Sequence, residues 1–166
     1  MPKRCSMDLG EVTSLSPADL RAIPAFRSVI AYFDAKTGGT RLPSRADIVP
    51  ADLKPHLPKI FIWDMDTDAD GTVRDIRIRL LGTEVAYFYG ESTGVSFLDY
   101  PEPGVAERAF AVARRMMEAP AVMGYRVRGI TTEKRHVALY VCYVPLSTDG
   151  FHVNQVFGCI HCDTPA

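Results

Sequence analysis

The sequence predicts an α+β fold: a five-stranded antiparallel sheet with helices covering one face. Three observations lead there. The elements run in the order helix, two strands, short helices, one long helix, three strands. Segment 73–81 alternates apolar and charged residues, whereas 105–118 repeats its apolar positions at helical spacing. Uninterrupted strand–helix–strand alternation is absent, which argues against a doubly wound nucleotide fold.

Residues 1–15 read as a flexible N-terminal arm and 16–40 as an N-terminal helical segment. Ser16 suits a helix cap, with Pro17 at the first helical position and Asp19 three residues after the cap. Pro24 interrupts this segment or starts a second helix. Between Ala25 and Lys36, the residues Phe26, Val29, Ile30 and Phe33 form an apolar stripe. Such a stripe packs across its own sheet or against a second copy, so these four are the candidate interaction residues. Gly38 and Gly39 end the helix. The proline-rich stretch from Arg41 to Pro58 is a wrapped connection with a short turn or helix near Pro50 to Leu57.

Ile60 to Met65 forms a strand, and Asp66 to Thr72, with Gly71, suits a hairpin turn. In Val73 to Leu81, Ile76, Ile78 and Leu80 share one face while Arg77 and Arg79 share the other. Thr83 caps a short helix through Phe88. Gly90 and Gly94 bracket a turn, and Val95 to Tyr100 is a second short helical piece. Val105 to Glu118 is the clearest helix. Its apolar face carries Val105, Ala109, Val112, Ala113 and Met116, with Glu107, Arg108, Arg114, Arg115 and Glu118 mostly opposite. Pro120 closes it. Strands follow at 121–128, 136–144 and 151–160, the last two separated by a tight connection from Pro145 to Gly150.

At 166 residues the chain makes one domain, with its main body over 41–162 and a tail at 163–166. Nineteen basic and twenty acidic residues give a formal charge of -1, so the field of a non-specific nucleic-acid binder is missing. Cys5, Cys142, Cys159 and Cys162 do not form the framework of a secreted, stapled domain. No apolar stretch follows the basic start, and no run is long enough to span a bilayer. The expectation is therefore a cytoplasmic protein without membrane partners.

Three local patterns carry a resemblance. The first is Leu42-Pro43-Ser44-Arg45-Ala46-Asp47-Ile48-Val49-Pro50, followed by Leu53 and Leu57-Pro58. The second is Arg77-Ile78-Arg79-Leu80-Leu81-Gly82-Thr83-Glu84-Val85, then Tyr89-Gly90 and Thr93-Gly94. The third is Pro145-Leu146-Ser147, followed by Asp149-Gly150. In this order and spacing, over roughly residues 25–160, they resemble the single-domain PAS-like proteins common in alphaproteobacteria. Where that family usually places a Trp near the end of its first helix, this chain has Tyr32. The resemblance implies a PAS-like sheet covered on one face, a small pocket beneath the cover, and a sensory or regulatory role.

A pocket in that arrangement lies between the inner sheet face and residues 83–116. Ile76, Ile78, Phe88, Phe97, Met116 and Tyr125 are the candidate ligand-binding residues, although ordinary core packing explains the same set. A buried Tyr125 phenol needs a hydrogen-bond partner, which water or a ligand can supply. Tyr87 and Tyr89 depend on helix phase. The cofactor is left unnamed. Haem-binding relatives carry an axial ligand on the cover, whereas His56, His136, His152 and His161 all lie outside 83–118. Flavin photosensors carry a reactive Cys there, and this chain has none between Cys5 and Cys142.

Other clusters are weaker. Gly82, Gly90 and Gly94 lack the spacing of a phosphate loop. Arg77 and Arg79, supplemented by Arg126 and Arg128, suit an anion on the exposed face or ion pairs with nearby acids. Cys159 and His161 share a strand face but Cys162 points away, which leaves no assigned metal site. Asp64, Asp66, Asp68 and Asp70 alternate through the first hairpin without the terminal Glu of a calcium loop. Ser147, Asp149 and His152 are too close in sequence to establish a triad without geometry.

The sequence reading is thus a stand-alone sensory or regulatory module, not an enzyme. It binds a signalling protein partner, and a small hydrophobic or mixed-polarity ligand is a further option, as is a homodimer. Two alternatives stay open: a small-molecule enzyme of a cone-like α+β class, and a ligand-free structural adaptor.

Overall fold

The computed structural model describes residues 12–128 and 137–163. Six antiparallel strands form one sheet: β1 (Val12–Ser14), β2 (Ile60–Thr67), β3 (Val73–Leu81), β4 (Met123–Arg128), β5 (Ala138–Leu146) and β6 (Gln155–Cys162). Their order across the sheet is β1-β4-β5-β6-β2-β3. The strand beyond the expected five is β1, which pairs Val12, Thr13 and Ser14 with Val127, Arg126 and Tyr125. It falls within the stretch read as a flexible arm. Residues 1–11 of that arm, Cys5 among them, His136, and residues 164–166 of the tail lie outside the described residues.

The helices form where local chemistry favours them. In α1 (Pro17–Ala22), Ser16 Oγ accepts the Asp19 N–H at 3.0 Å, and the Asp19 carboxylate accepts the Ser16 N–H at 2.9 Å. This reciprocal cap satisfies two backbone donors at the helix start. A second proline opens α2 (Pro24–Thr37), and Gly38 closes it at φ 59°, a conformation that a side chain would penalise. Two 3-10 segments, Arg45–Asp47 and Pro50–Lys59, wrap toward β2. Tyr32 holds this wrap to α2: its hydroxyl donates to the Asp47 carbonyl at 2.7 Å and accepts the Val49 N–H at 3.0 Å.

The remaining cover is α3 (Thr83–Tyr89), a 3-10 turn (Phe97–Asp99) and α4 (Pro103–Glu118). These elements lie on one face of the sheet. Val85, Phe97, Val105, Ala109 and Met116 pack there against Phe61, Trp63, Ile76, Ile78, Val141 and Tyr143. The N-terminal helices add a layer on the opposite face. Phe26, Val29, Ile30 and Phe33 are buried among Ile60, Ile62, Cys142, Val144, Phe157 and Cys159. The Phe33 and Phe157 rings meet edge-on, with centroids 5.0 Å apart. Of the two surfaces open to this stripe, the chain's own sheet takes it. The four residues expected as interaction residues are therefore core, and a partner cannot reach them without unpacking α2.

Two further departures have local causes. Ile62 pairs with Leu80 but Trp63 pairs with Ile78, so Arg79 is an extra residue in β3. The resulting bulge turns Leu80 toward the α2 layer and Leu81 toward the α4 layer. Leu80 thus leaves the face that simple alternation gives it with Ile76 and Ile78. In addition, β5 runs on through Pro145 and Leu146, which pair with Val156 and Gln155, so the connection to β6 begins at Ser147. No helix among the described residues is long and apolar enough to cross a membrane.

Candidate functional site

The face beneath α3 and α4 begins with an aromatic floor. Phe61 and Trp63 alternate on β2 with Ile60 and Ile62, and their rings stand 5.0 Å apart. Phe61 lies directly opposite Gly158 of β6. A Cβ at Gly158 would run into the Phe61 ring, so only glycine leaves room for it there. Tyr143 approaches both rings from β5, and Phe97 meets Trp63 edge-on at 5.2 Å.

A cavity sits above this floor. Phe61, Trp63, Val141 and Tyr143 come from the sheet, Val85 and Tyr89 from α3, Phe97 and Tyr100 from around the 3-10 turn, and Val105, Arg108 and Ala109 from α4. Its volume is about 40 Å³, which holds about three waters.

Among the described residues Arg108 is the single charged one in the lining. It follows Val105 by three positions and precedes Val112 by four, so α4 carries it on the buried face. Both terminal nitrogens, Nη1 and Nη2, are sealed from solvent and have no hydrogen-bond partner among the described residues. Buried charges are ordinarily paired, because the desolvation of an ion is otherwise uncompensated. The guanidinium acts electrostatically on Tyr89, Tyr100 and Tyr143. None of these phenols offers a counter-charge at neutral pH. Burial pushes Tyr89 up to about 12, raises Tyr100, and raises Tyr143 well beyond its ordinary range. Tyr100 is further engaged: its hydroxyl donates to the Tyr89 carbonyl at 2.9 Å.

A PAS domain family model matches residues 21–161, most of the chain. The chain belongs to the PAS domain family. Among solved structures, a point variant of the PAS-B domain of Drosophila melanogaster Cycle, with glycerol bound, is similar at 12% identity and a TM-score of 0.41. That match covers 63% of this chain and 98% of the other. No curated protein matches the chain.

In this PAS domain, Ile78 and Phe97 line the cavity as the sequence suggests. Ile76 and Met116 are fully buried in the same hydrophobic cluster but outside the lining, and Phe88 packs partly buried against it. Tyr125 lies further along the sheet, its ring 6.2 Å from Tyr143. It borders a separate groove with Arg114, Arg115 and Glu118. Helix phase separates the two uncertain tyrosines: Tyr89 turns inward, and Tyr87 is 70% exposed. Sequence reasoning missed Phe61, Trp63, Tyr100, Tyr143 and Arg108.

The other clusters resolve as structural contacts. Arg77 donates to the Gly94 carbonyl at 2.7 Å, and Arg79 pairs with Asp64 at 3.5 Å. Arg126 of β4 stacks over Tyr140 of β5, and three strands lie between β4 and β3, so Arg126 and Arg128 do not extend the charge of Arg77 and Arg79. Asp68 and Asp70 accept the Thr72 N–H and close the hairpin. Asp149 accepts from Ser147 at 2.8 Å and contacts His152 Nδ1 at 2.6 Å. Aspartate is thus the middle member, whereas a catalytic triad needs the histidine between acid and serine. Cys159 faces the α2 layer, Cys162 the α4 layer, and His161 packs edge-on to Phe26. Among the described residues no three His, Cys, Asp or Glu side chains are grouped to hold a metal ion.

Proposed function

We propose that this PAS domain is a sensory or regulatory module whose input is occupancy of the cavity beneath α3 and α4. The observation that carries the reading is the cavity lining, an aromatic floor with one buried, unpartnered guanidinium. Ile78 and Phe97 remain ligand contacts in this reading, joined by Phe61, Trp63, Tyr143 and Arg108. The output is contact with a signalling protein partner. In support, the cover that lines the cavity also shows apolar groups to solvent. Tyr89 faces in and Tyr87 out on α3; Phe97 faces in and Leu98 is 65% exposed on the adjoining turn. A shift that admits a ligand therefore moves outward-facing groups on the same short elements.

The proposal describes a binding module rather than an enzyme. It places the chain with the single-domain alphaproteobacterial proteins its motifs resemble, and in the cytoplasm. Dimerisation through the 25–36 stripe is not part of it, because that stripe is core.

Native mass spectrometry of gently purified protein, repeated after denaturation, reads cavity occupancy directly. Hydrogen exchange then tests signalling. Filling the cavity with Ala109→Leu is expected to change amide protection across residues 83–100 while leaving β5 and β6 unchanged. Identical exchange in the cover of wild type and variant would refute the reading.

A further inference from the structure

We infer that the cavity takes a small monocarboxylate, its carboxylate bound by Arg108 and its apolar body laid against Phe61, Trp63 and Phe97. The inference rests on the reading of the cavity as a ligand site and names the class of ligand.

Three observations select that class. First, Nη1 and Nη2 of Arg108 are both buried and both without a hydrogen-bond partner among the described residues. Two parallel N–H donors on a planar fork match the two oxygens of a carboxylate. Second, the rest of the lining supplies no competing anion. Among the described residues it contains no Asp or Glu, and its tyrosines are neutral at physiological pH. A ligand must bring the negative charge that the protein withholds. Third, one guanidinium is the entire charge of the lining among the described residues. That balances a monoanion. A phosphate ester carrying two charges would leave one uncompensated in an apolar enclosure. The other walls set the body of the ligand: aromatic rings and the small Ala109 enclose about 40 Å³, room for a carboxylate with an apolar body of only about one or two carbons. The phenols of Tyr89 and Tyr143 stand within electrostatic reach of the same guanidinium.

Calorimetric titration of the intact chain at fixed ionic strength tests this. The probes are formate, acetate and propionate, each beside its neutral amide, together with inorganic phosphate. At least one acid is expected to bind, about tenfold or more tightly than its amide, as a charge-assisted hydrogen-bond pair requires. Arg108→Gln is expected to abolish the difference between acid and amide, and Arg108→Lys to retain part of it. Should Arg108→Gln not fold, the acid–amide contrast in wild type and its partial loss in Arg108→Lys decide the matter.

Three results would each overturn the inference: no binding by any of the acids at millimolar concentration, equal binding of an acid and its amide, or tighter binding of phosphate than of every acid. Equal binding of acid and amide would leave the sensory reading standing, since the cavity would still take small molecules. That reading fails separately, through unchanged exchange in the cover of a protein whose cavity is filled.

Discussion

On the α2 side of the sheet, Phe26, Val29 and Phe157 are fully buried among aliphatic and aromatic neighbours. On the α4 side, equally bulky rings leave a cavity with a guanidinium in its wall. The same three central strands supply both faces, so the difference does not come from the sheet. It comes from what covers it. A regular two-turn-plus stripe on α2 fits its groove, whereas α3 and the 3-10 turn at 97–99 are short and separated by a stretch that turns at Gly90 and Gly94, both at φ 86°. Short, kinked cover leaves space that one long helix would fill. One face anchors the fold and the other is free to carry an unsatisfied charge.

The hardest test of this division strikes the anchoring face. Phe33→Asp puts a carboxylate into the layer between α2 and Phe157. The lost ring and the buried charge together are expected to cost more than about 4 kcal/mol, read by urea denaturation with circular dichroism. A loss below about 1 kcal/mol would show that α2 is a detachable appendage and not half of the core.

How far the sequence displays this division depends on the residue. The α2 stripe is plain because Phe26, Val29, Ile30 and Phe33 repeat at helical spacing above polar neighbours. The order of the main strands and helices is equally legible. The cavity floor is not. Ile60-Phe61-Ile62-Trp63 is apolar at every position because both faces of β2 are buried, and a continuous apolar run does not say which residues face which layer. Leu80 is misplaced by a bulge that leaves no mark in the residue pattern. Arg108 was legible in principle. Its three-residue spacing from Val105 and four-residue spacing to Val112 put it inside the apolar arc, but its charge suggested the solvent side. A charged residue inside an apolar arc is the signal that would have found the site.

A second comparison concerns the strand that serves both faces. Gly158 lies between Phe61 and Tyr143 in the sheet. Gly158→Ala adds one methyl group where the Phe61 ring lies. Overpacking of this kind costs about 1–3 kcal/mol, less than Phe33→Asp because the neighbouring cavity can receive the displaced ring. The expected outcome is a folded protein, moderately destabilised, with Phe61 moved into the cavity and ligand uptake reduced. Denaturation together with a crystal structure of the variant reads both. A loss as large as that of Phe33→Asp would mean that the cavity does not relieve strain, and the contrast between the faces would weaken.

The smallest expected effect lies at the polar border of the anchoring face. Arg41 grips Asp47 with two bonds, Nη1 to Oδ2 at 2.7 Å and Nη2 to Oδ1 at 2.9 Å. The Ser44 N–H donates to the same carboxylate at 2.7 Å. These bonds, led by that from Arg41, hold the Asp47 pKa at about 2. A depressed carboxyl pKa stabilises the folded state above the ordinary carboxyl range and stops doing so as acid protonates the group. The contribution of Asp47 is therefore whole at neutral pH and is lost as pH falls from 3.8 to about 2. Because the Arg41 side chain is 39% exposed, solvent screening limits the contribution to about 1 kcal/mol. Asp47→Asn is expected to lower stability by about that amount at pH 7 and to flatten the fall in stability over the acid interval. Parallel acid limbs for the variant and wild type would show that this ion pair does not fasten the 41–47 wrap to the α2 layer.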